Sequence, residues 1–535
     1  MTAAEPGAPG TIGIAGAGTM GAGIAQMSCM SGARTLLHDP LGEALERGLA
    51  QIEAQLERGV QRGRWSQEDA AAARERVQAA PSLADLRPCE LVIEAAPERI
   101  EIKRELFAKL SRQVVSEDCV LATNTSSLLV TAIATAAVRP DRVVGMHFFN
   151  PAPVMRLVEV VAGEESSAAA LALARAASEA MGKQVIDAID GPGFLVNRCN
   201  RPFGLEALKL LQEGAASFEE IDRICRLAGG FRMGPFELMD LVGVDVGLQI
   251  ARSFYEQSFG EPRWRPSPIA VRTVAAGRLG RKSGRGYYDY SAGEHRPPDP
   301  EPLPAQGGDG LVVISGHTVI AEELRAAAEQ AGWEVCSPEE AYDREPPFLI
   351  LEADLDDEML EPAPQGGPRA VCCASGSLTA LDPGGGAVGF HALPPLAESA
   401  LVELTRSPDS TGSAASAAEQ FFTTLGKHTA WVGDAPGLVL GRIVCQLVNE
   451  AAFALGEGIG SGEDIDAGVR HGLNYPRGTL AWADQIGLDH VLAVLDALVE
   501  ELGEDRYRAA PVLRRLAWSG RLGRRTGEGF FGYES

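Results

Sequence analysis

Two groupings of residues in this chain have the types and spacings that do chemistry. The first is Gly16-Ala17-Gly18-Thr19-Met20-Gly21, a G-x-G-x-x-G run. It follows a strand-like stretch, Thr11 to Ala15, and opens a helical one, which is the context a dinucleotide-binding turn requires. Gly16 allows the tight turn, Gly18 lets the backbone approach a pyrophosphate, and Gly21 lets the helix pack close to the strand. The helix N-terminus offers free N–H groups and a positive dipole end to the phosphates. Asp39 stands 18 residues after Gly21, at the end of the second strand-like run. A carboxylate there accepts hydrogen bonds from the ribose hydroxyls and repels a 2′-phosphate, which favours NAD over NADP.

The second grouping is His147 and Glu159, twelve residues apart. A lone histidine is more often a packed or surface residue. One at the end of a strand, with a carboxylate that orients it, can form a general base. Its neighbourhood contains Asn124-Thr125-Ser126-Ser127-Leu128, Gly145-Met146-His147-Phe148-Phe149-Asn150-Pro151 and Leu157-Val158-Glu159-Val160-Val161. Oxidation of a hydroxyl by hydride transfer needs a group of near-neutral pKa to take the O–H proton, and histidine is the usual choice.

These residues must be held by regular elements. Strand-like runs at 11–15, 33–38, 90–94, 119–123, 142–147 and 156–161 alternate with helical ones, including Leu41 to Arg62 with Leu45, Leu49, Ile52 and Leu56 on one side. Such alternation predicts a largely parallel α/β sheet. After Gly191-Pro192-Gly193 the pattern becomes all-α, with helices expected over 194–212, 218–228 and 245–258. A Pro/Gly-rich stretch follows, and then the chain starts again. Pro192-Gly193-Phe194 corresponds to Pro436-Gly437-Leu438, Glu219-Glu220-Ile221-Asp222 to Glu463-Asp464-Ile465-Asp466, and Gly280-Arg281-Lys282-Ser283-Gly284 to Gly523-Arg524-Arg525-Thr526-Gly527. A period of about 244 residues is far too long for a solenoid and marks a duplication. The expected architecture is α/β and all-α. It comprises a Rossmann-type NAD-binding domain (1–190), a helical domain (191–291), a linker (292–310), a degenerate Rossmann-like domain (311–434) and a second helical domain (435–535).

The motifs together resemble the L-3-hydroxyacyl-CoA dehydrogenase family, closely from Thr11 to about Tyr290. The matching pieces are the glycine fingerprint, N-T-S-S-L, H-F-F-N-P, L-V-E-V, G-F-L-V-N-R and Met233-Gly234-Pro235-Phe236-Glu237-Leu238. The second half is similar to the extra portion of the long bacterial 3-hydroxybutyryl/3-hydroxyadipyl-CoA dehydrogenases, including the phenylacetate-degradation type. The resemblance implies reversible NAD-dependent oxidation of (S)-3-hydroxyacyl-CoA in fatty-acid or aromatic-acid catabolism. It implies His147 as base, Glu159 as its orienting partner, Ser126 on the 3-hydroxyl and Asn197 near the reacting carbons. Gly16, Gly18, Thr19, Met20, Gly21, Asp39, Glu98, Lys103 and Asn124 are the positions that would hold NAD. The partner is an acyl-CoA thioester, and Arg58, Arg62 and Arg64 are candidates to hold its phosphates. Helical domains of this family commonly form a dimer interface. The repeat therefore implies an intramolecular pseudo-dimer, and a homo-oligomer of whole chains is compatible with it. No residue pattern sets acyl length or recognises an ω-carboxylate.

The second copy departs from the motifs. Ser315-Gly316-His317-Thr318-Val319-Ile320 lacks the glycine triad, so no dinucleotide is expected there. His391 and Glu403 keep the twelve-residue spacing, but Gly376, Pro394 and Gly441 stand where Ser126, Asn150 and Asn197 do, which makes His391 vestigial.

Composition narrows the alternatives. The chain has 535 residues and a net charge of −25, which argues against nucleic acid and anionic membranes as partners. From Arg296 to Ala370 there are 17 acidic residues and 4 basic ones, so much of the charge sits in the linker and the degenerate domain. Nine scattered cysteines without a C-x-x-C pair indicate free thiols, a reducing cytoplasm and no metal site. Neither a signal peptide nor a membrane-spanning run is expected. The alternative function is a non-catalytic NAD-binding sensor or scaffold, against which Ser126, His147, Glu159 and Asn197 together argue. A different β-hydroxyacid dehydrogenase fits poorly with the H-F-F-N-P context. A multienzyme with a hydratase lacks an N-terminal region to hold one.

Overall fold

The computed structural model describes residues 7–355 and 366–533. They form two compact units. One runs to Arg198 and takes in Gly458–Leu473, and the other comprises Cys199–Glu457 and the chain from Asn474 onward.

The first unit is built on an eight-stranded sheet. In chain order its strands are β1 (Thr11–Ala15), β2 (Arg34–His38), β3 (Val77–Ala79), β4 (Leu91–Glu94), β5 (Val120–Thr123), β6 (Val143–Phe148), β7 (Leu157–Ala162) and β8 (Gln184–Ile189). The spatial order is β3-β2-β1-β4-β5-β6-β7-β8, and every pairing is parallel except β6 with β7. β4, β5 and β6 are buried along their whole length. Helices cover both faces of such a sheet, so its strands read as continuous apolar runs rather than alternating ones. The antiparallel β6–β7 step sets His147 directly opposite Glu159.

The second unit repeats the plan with seven strands: β9 (Leu311–Ile314), β10 (Glu334–Cys336), β11 (Leu349–Glu352), β12 (Arg369–Cys372), β13 (Val388–His391), β14 (Leu401–Arg406) and β15 (His428–Trp431). Their order is β10-β9-β11-β12-β13-β14-β15, again with one antiparallel pair, β13–β14, in which His391 faces Glu403. The helices Arg201–Glu213 and Leu440–Gly456, which are repeat counterparts, pack together in this unit. Arg442, with no exposed side-chain surface, reaches across to Glu206 at 2.7 Å and Glu213 at 2.7 Å, and also donates to the Tyr507 hydroxyl. A charge buried this deeply is tolerable only with such complete pairing.

The helical segments engage the sheets reciprocally. In the second unit, Ala400 at the start of β14 donates to the carbonyl of Leu227, at the end of helix Phe218–Leu227. In the first, Ile189 donates to the carbonyl of Ile459, and helix Gly462–Leu473 lies on β7 and β8. Gly468 and Gly472 bring that helix close enough that a Cβ would fall within 2.8 Å of Val196 and Leu157, respectively. The linker 292–310 makes no helix, and its only strand-like pairing is a single bridge from Ala305 to Leu425. It is strapped down by Arg296 and His295 on Glu237 and by Asp299 on Arg226. All nine cysteines are buried and none is in a disulfide. No helix among the described residues is long and apolar enough to cross a membrane.

One helical expectation is corrected. The run 194–212 is not a single helix, because Phe194 takes φ 53° and helical structure begins only at Val196–Cys199 and resumes at Arg201–Glu213. Its counterpart Leu438 does the same, with φ 46°.

Candidate active site

The glycine run is the turn between β1 and the helix Thr19–Met30, and its three glycines answer to different constraints. Gly16 has φ +119°, and a Cβ there would lie 2.5 Å from the Ala95 carbonyl oxygen. A Cβ on Gly21 would lie 1.7 Å from the Gly16 oxygen. The fold itself demands both. Gly18 is extended, and a Cβ on it would meet nothing within 4 Å. A side chain on Gly18 would therefore stand in open space. The helix behind it has no side-chain cap and no acidic residue in its first turn, which suits an incoming phosphate. Asp39 pins the turn from the end of β2, accepting from Ala17 N at 2.9 Å and from Leu41 N at 3.0 Å. The residues present therefore fit a dinucleotide.

Glu98 and Lys103 belong to a second layer of the same end of the sheet. Glu98 accepts from Thr125 Oγ1 at 2.6 Å, Ser126 N at 2.9 Å and Ser127 N at 3.0 Å, so it sets the course of the loop that carries Ser126. Lys103 is fully buried and sits between Glu94 at 2.7 Å and Glu98 at 3.3 Å. Asn124 accepts from Phe148 N at 2.8 Å, tying the end of β5 to the end of β6 beside His147.

His147 is the centre of the arrangement. Its Nδ1 lies 2.6 Å from Glu159 Oε2 and its Nε2 lies 3.1 Å from Ser126 Oγ. Phe149 and Phe194 flank the ring at 4.7 and 5.6 Å between centroids. Glu159 is fully buried, and its other oxygen accepts from Leu195 N at 3.0 Å and Val196 N at 2.9 Å. The left-handed backbone at Phe194 aims those two N–H groups at the carboxylate. Glu159 thus holds both the imidazole and the start of the short helix that carries Asn197. A carboxylate fixed on Nδ1 leaves Nε2 as the nitrogen that exchanges protons.

A cavity of about 570 Å³ lies in the same unit, between the helices Thr19–Met30 and Gly42–Gln61 and the segment 151–156. Arg58, Arg62 and Arg64 all line it, joined by Arg156, Trp65 and Met155. Sequence reasoning missed Arg156 and Trp65, which lie far apart in the chain. It also missed Lys183, which is pulled down to about 8 by burial and holds the segment by donating to the carbonyls of Ala152 and Met155. Among the described residues no cluster of His, Cys, Asp or Glu could hold a metal ion.

The second copy has the same skeleton with its chemistry disconnected. Both Glu403 oxygens turn to backbone, accepting from Val439 N at 2.7 Å and Leu440 N at 3.1 Å, and burial pushes the carboxyl up to about 8. His391 Nδ1 has no partner, and its Nε2 meets His490 Nε2 at 3.1 Å. Burial and His490 together hold the His391 pKa well below the ordinary value. A Cβ on Gly441, at the place of Asn197, would fall 2.3 Å from the His391 ring. Thr318 takes the place of Gly18 and caps the following helix with its own hydroxyl.

Comparison with known proteins adds to this geometry. The model of the 3-hydroxyacyl-CoA dehydrogenase NAD-binding domain matches residues 11–191, and that of the C-terminal domain matches 193–290 and again 437–533. A 3-hydroxyadipyl-CoA dehydrogenase of Escherichia coli K12 is 35% identical over 507 residues, 95% of this chain and 97% of its own length. A 3-hydroxybutyryl-CoA dehydrogenase of Clostridioides difficile is 39% identical over 280 residues, 52% of this chain and 99% of its own. The crystal structure of a 3-hydroxybutyryl-CoA dehydrogenase from Escherichia coli K12 superposes with a TM-score of 0.80 at 34% identity, covering 96% of this chain and 99% of that one.

Proposed function

We propose how this chain, which belongs to the 3-hydroxyacyl-CoA dehydrogenase family, performs its reaction. The enzyme oxidises 3-hydroxyacyl-CoA thioesters to 3-oxoacyl-CoA with NAD. His147 Nε2 removes the proton of the 3-hydroxyl, and Ser126 Oγ hydrogen-bonds that hydroxyl and sets its direction. Glu159 keeps the proton of the neutral imidazole on Nδ1 and stabilises the imidazolium that forms. Asn197 contacts the substrate near its reacting carbons. When bound, NAD supplies the hydride acceptor. Gly16, Gly18, Thr19, Met20 and Gly21 hold its pyrophosphate, Asp39 its ribose, and Glu98 and Asn124 the rest of its contact surface, with Lys103 buried behind them as the charge partner of Glu94 and Glu98. Arg58, Arg62 and Arg64 hold the CoA phosphates in the 570 Å³ cavity, where local positive charge opposes the acidic balance of the chain.

The observation that carries this reading is the relay from Glu159 through His147 to Ser126, with contacts of 2.6 and 3.1 Å. The test is NADH formation from (S)-3-hydroxybutyryl-CoA and NAD by the purified chain, with consumption of NADH on acetoacetyl-CoA as the reverse. Binding of NAD without turnover of any 3-hydroxyacyl-CoA would overturn the role of His147 and favour a non-catalytic scaffold. Removing the Asp39 charge as D39N should lower the ratio of kcat/KM for NAD over NADP by at least about 10-fold, since the 2′-phosphate no longer meets a carboxylate. An unchanged ratio would remove Asp39 from the ribose site.

The substrates we propose are 3-hydroxybutyryl-CoA and 3-hydroxyadipyl-CoA, in fatty-acid or aromatic-acid catabolism in the cytoplasm. The five-part domain division, with boundaries at 190, 291, 310 and 434, is proposed on the repeat. An intramolecular pseudo-dimer of the helical domains is supported by the Arg442–Glu206 pairing and by the reciprocal Ala400–Leu227 and Ile189–Ile459 contacts.

A further inference from the structure

The 570 Å³ cavity of the first unit is lined by Arg58, Arg62, Arg64, Arg156 and Lys183, and among the described residues no carboxylate lines it. The four arginines are exposed. Lys183 is different: it is only 9% exposed, and its Nζ donates to the carbonyls of Ala152 and Met155, each at 2.6 Å. An ammonium has three hydrogens, so one is left over. A buried charge needs a counter-charge as well as hydrogen bonds, and here the protein supplies none. Burial alone pulls the Lys183 pKa down, to about 8, and no neighbouring charge raises it again.

The second copy shows the same lysine with its counter-charge in place. Lys427, 244 residues on, donates to the carbonyls of Leu396 at 2.7 Å and Ser399 at 2.6 Å, the counterparts of Ala152 and Met155. There Glu323 Oε2 accepts from Leu396 N at 2.6 Å, and its negative charge works against the burial of Lys427. Gly16 and Gly316 make the same turn with positive φ, so Glu323 in the helix that follows corresponds to Gly23. A Cβ on Gly23 would lie 3.0 Å from Pro153 Cδ, so the first copy has no room for that carboxylate. The pair of carbonyl contacts is common to both copies and serves the fold. The missing counter-charge is peculiar to the copy with the intact His147 relay.

We infer that Lys183 is a specificity-determining residue of the thioester site, where a phosphate group of CoA takes the place that Glu323 has beside Lys427. The carbonyl contacts fix the ammonium before the ligand arrives, so little side-chain freedom is lost on binding, whereas the exposed arginines must first be ordered. A charge-assisted bond to a phosphate oxygen is also stronger than a neutral one. This inference rests on the 3-hydroxyacyl-CoA reading above and adds a residue to its substrate site. It carries a pH dependence. Arg58, Arg62, Arg64 and Arg156 are the other charged groups lining the cavity, and arginine does not deprotonate. Phosphate is fully ionised well above its second pKa of about 6. Loss of the Lys183 proton is therefore the step that weakens CoA binding as pH rises through about 8.

The test uses the whole chain and acetyl-CoA, a thioester without the 3-hydroxyl, titrated by calorimetry. K183M should weaken acetyl-CoA by at least about 10-fold at pH 7 and raise KM for 3-hydroxybutyryl-CoA in parallel, with kcat and the Kd for NAD within about twofold of wild type. Wild-type affinity for acetyl-CoA should fall by about 10-fold from pH 7 to pH 9.5, and that of K183M should stay flat. K427M loses the equivalent carbonyl contacts in the second unit and should leave acetyl-CoA affinity unchanged, which separates the charge in the cavity from a general loss of packing. Repeating the K183M titration with acetyl-dephospho-CoA identifies the group: an undiminished loss assigns the pyrophosphate, and a vanished one the 3′-phosphate. Unchanged acetyl-CoA affinity in folded K183M would overturn the inference and leave the dehydrogenase reading intact. So would a wild-type affinity that is flat from pH 7 to pH 9.5, which decides the matter if K183M does not fold. A wild-type chain that neither binds acetyl-CoA nor turns over any 3-hydroxyacyl-CoA would instead overturn the underlying reading.

Discussion

Replacing His147 with glutamine is expected to lower kcat on 3-hydroxybutyryl-CoA by about 10³-fold, within the range set by losing a positioned general base, while NAD affinity stays within about threefold of wild type. The split follows from the geometry. His147 sits at the end of β6 with one ring nitrogen committed to Glu159 and the other 3.1 Å from Ser126 Oγ. Glutamine can occupy that space and hydrogen-bond on both sides, but it cannot accept a proton at neutral pH. The glycine turn and Asp39 are built from β1 and β2, and their contacts do not pass through His147. Glu159 retains its bonds to Leu195 N and Val196 N, so the helix bearing Asn197 stays anchored. Stopped-flow turnover with a fluorescence titration of NAD separates the two effects. Wild-type turnover in H147Q would exclude His147 as the base, and a parallel loss of NAD binding would make its role structural.

The parts of this molecule legible in the sequence are those whose chemistry is local. The glycine turn, the strand before it and the acidic residue after β2 are fixed by contacts between near neighbours in the chain. From His147 onward the offset of about 244 residues transfers from motif to geometry, down to the left-handed backbone at Phe194 and Leu438 and the facing pairs His147–Glu159 and His391–Glu403. What was not legible depends on tertiary partners. β3 is three residues long and half-exposed at a sheet edge, so it has no apolar run to announce it. The break in the expected helix 194–212 comes from Glu159 capturing two backbone N–H groups from 36 and 37 residues away. Lys103 reads from the resemblance as an NAD-holding position, and only the fold shows its side chain buried against Glu94. Most of all, helix Gly462–Leu473 belongs to the second copy by sequence and to the unit of the first sheet by packing. No periodicity carries that information, because the helix has the same apolar face whichever sheet it covers.

The second large effect is expected at Gly18, and its value lies in the contrast with Gly21. In G18V the new side chain starts from an extended backbone that valine adopts readily, and its Cβ points where no protein atom lies within 4 Å. The cost to folding is confined to a poorer helix N-cap, about 1 kcal/mol, so the thermal midpoint should fall by only a few degrees. The cost to NAD is much greater. The pyrophosphate must approach the backbone through the volume the valine occupies, and a steric conflict of about 3 kcal/mol corresponds to a Kd raised by about 100-fold. G21A inverts the pattern: its methyl group would stand 1.7 Å from the Gly16 carbonyl oxygen, so helix and strand must separate and stability is lost before binding is reached. Calorimetry of both variants, each titrated with NAD, distinguishes the two roles. If G18V bound NAD at wild-type affinity, the open space before Gly18 would not be the phosphate site. If it unfolded as G21A is expected to, that glycine would serve the fold, as Gly16 and Gly21 do.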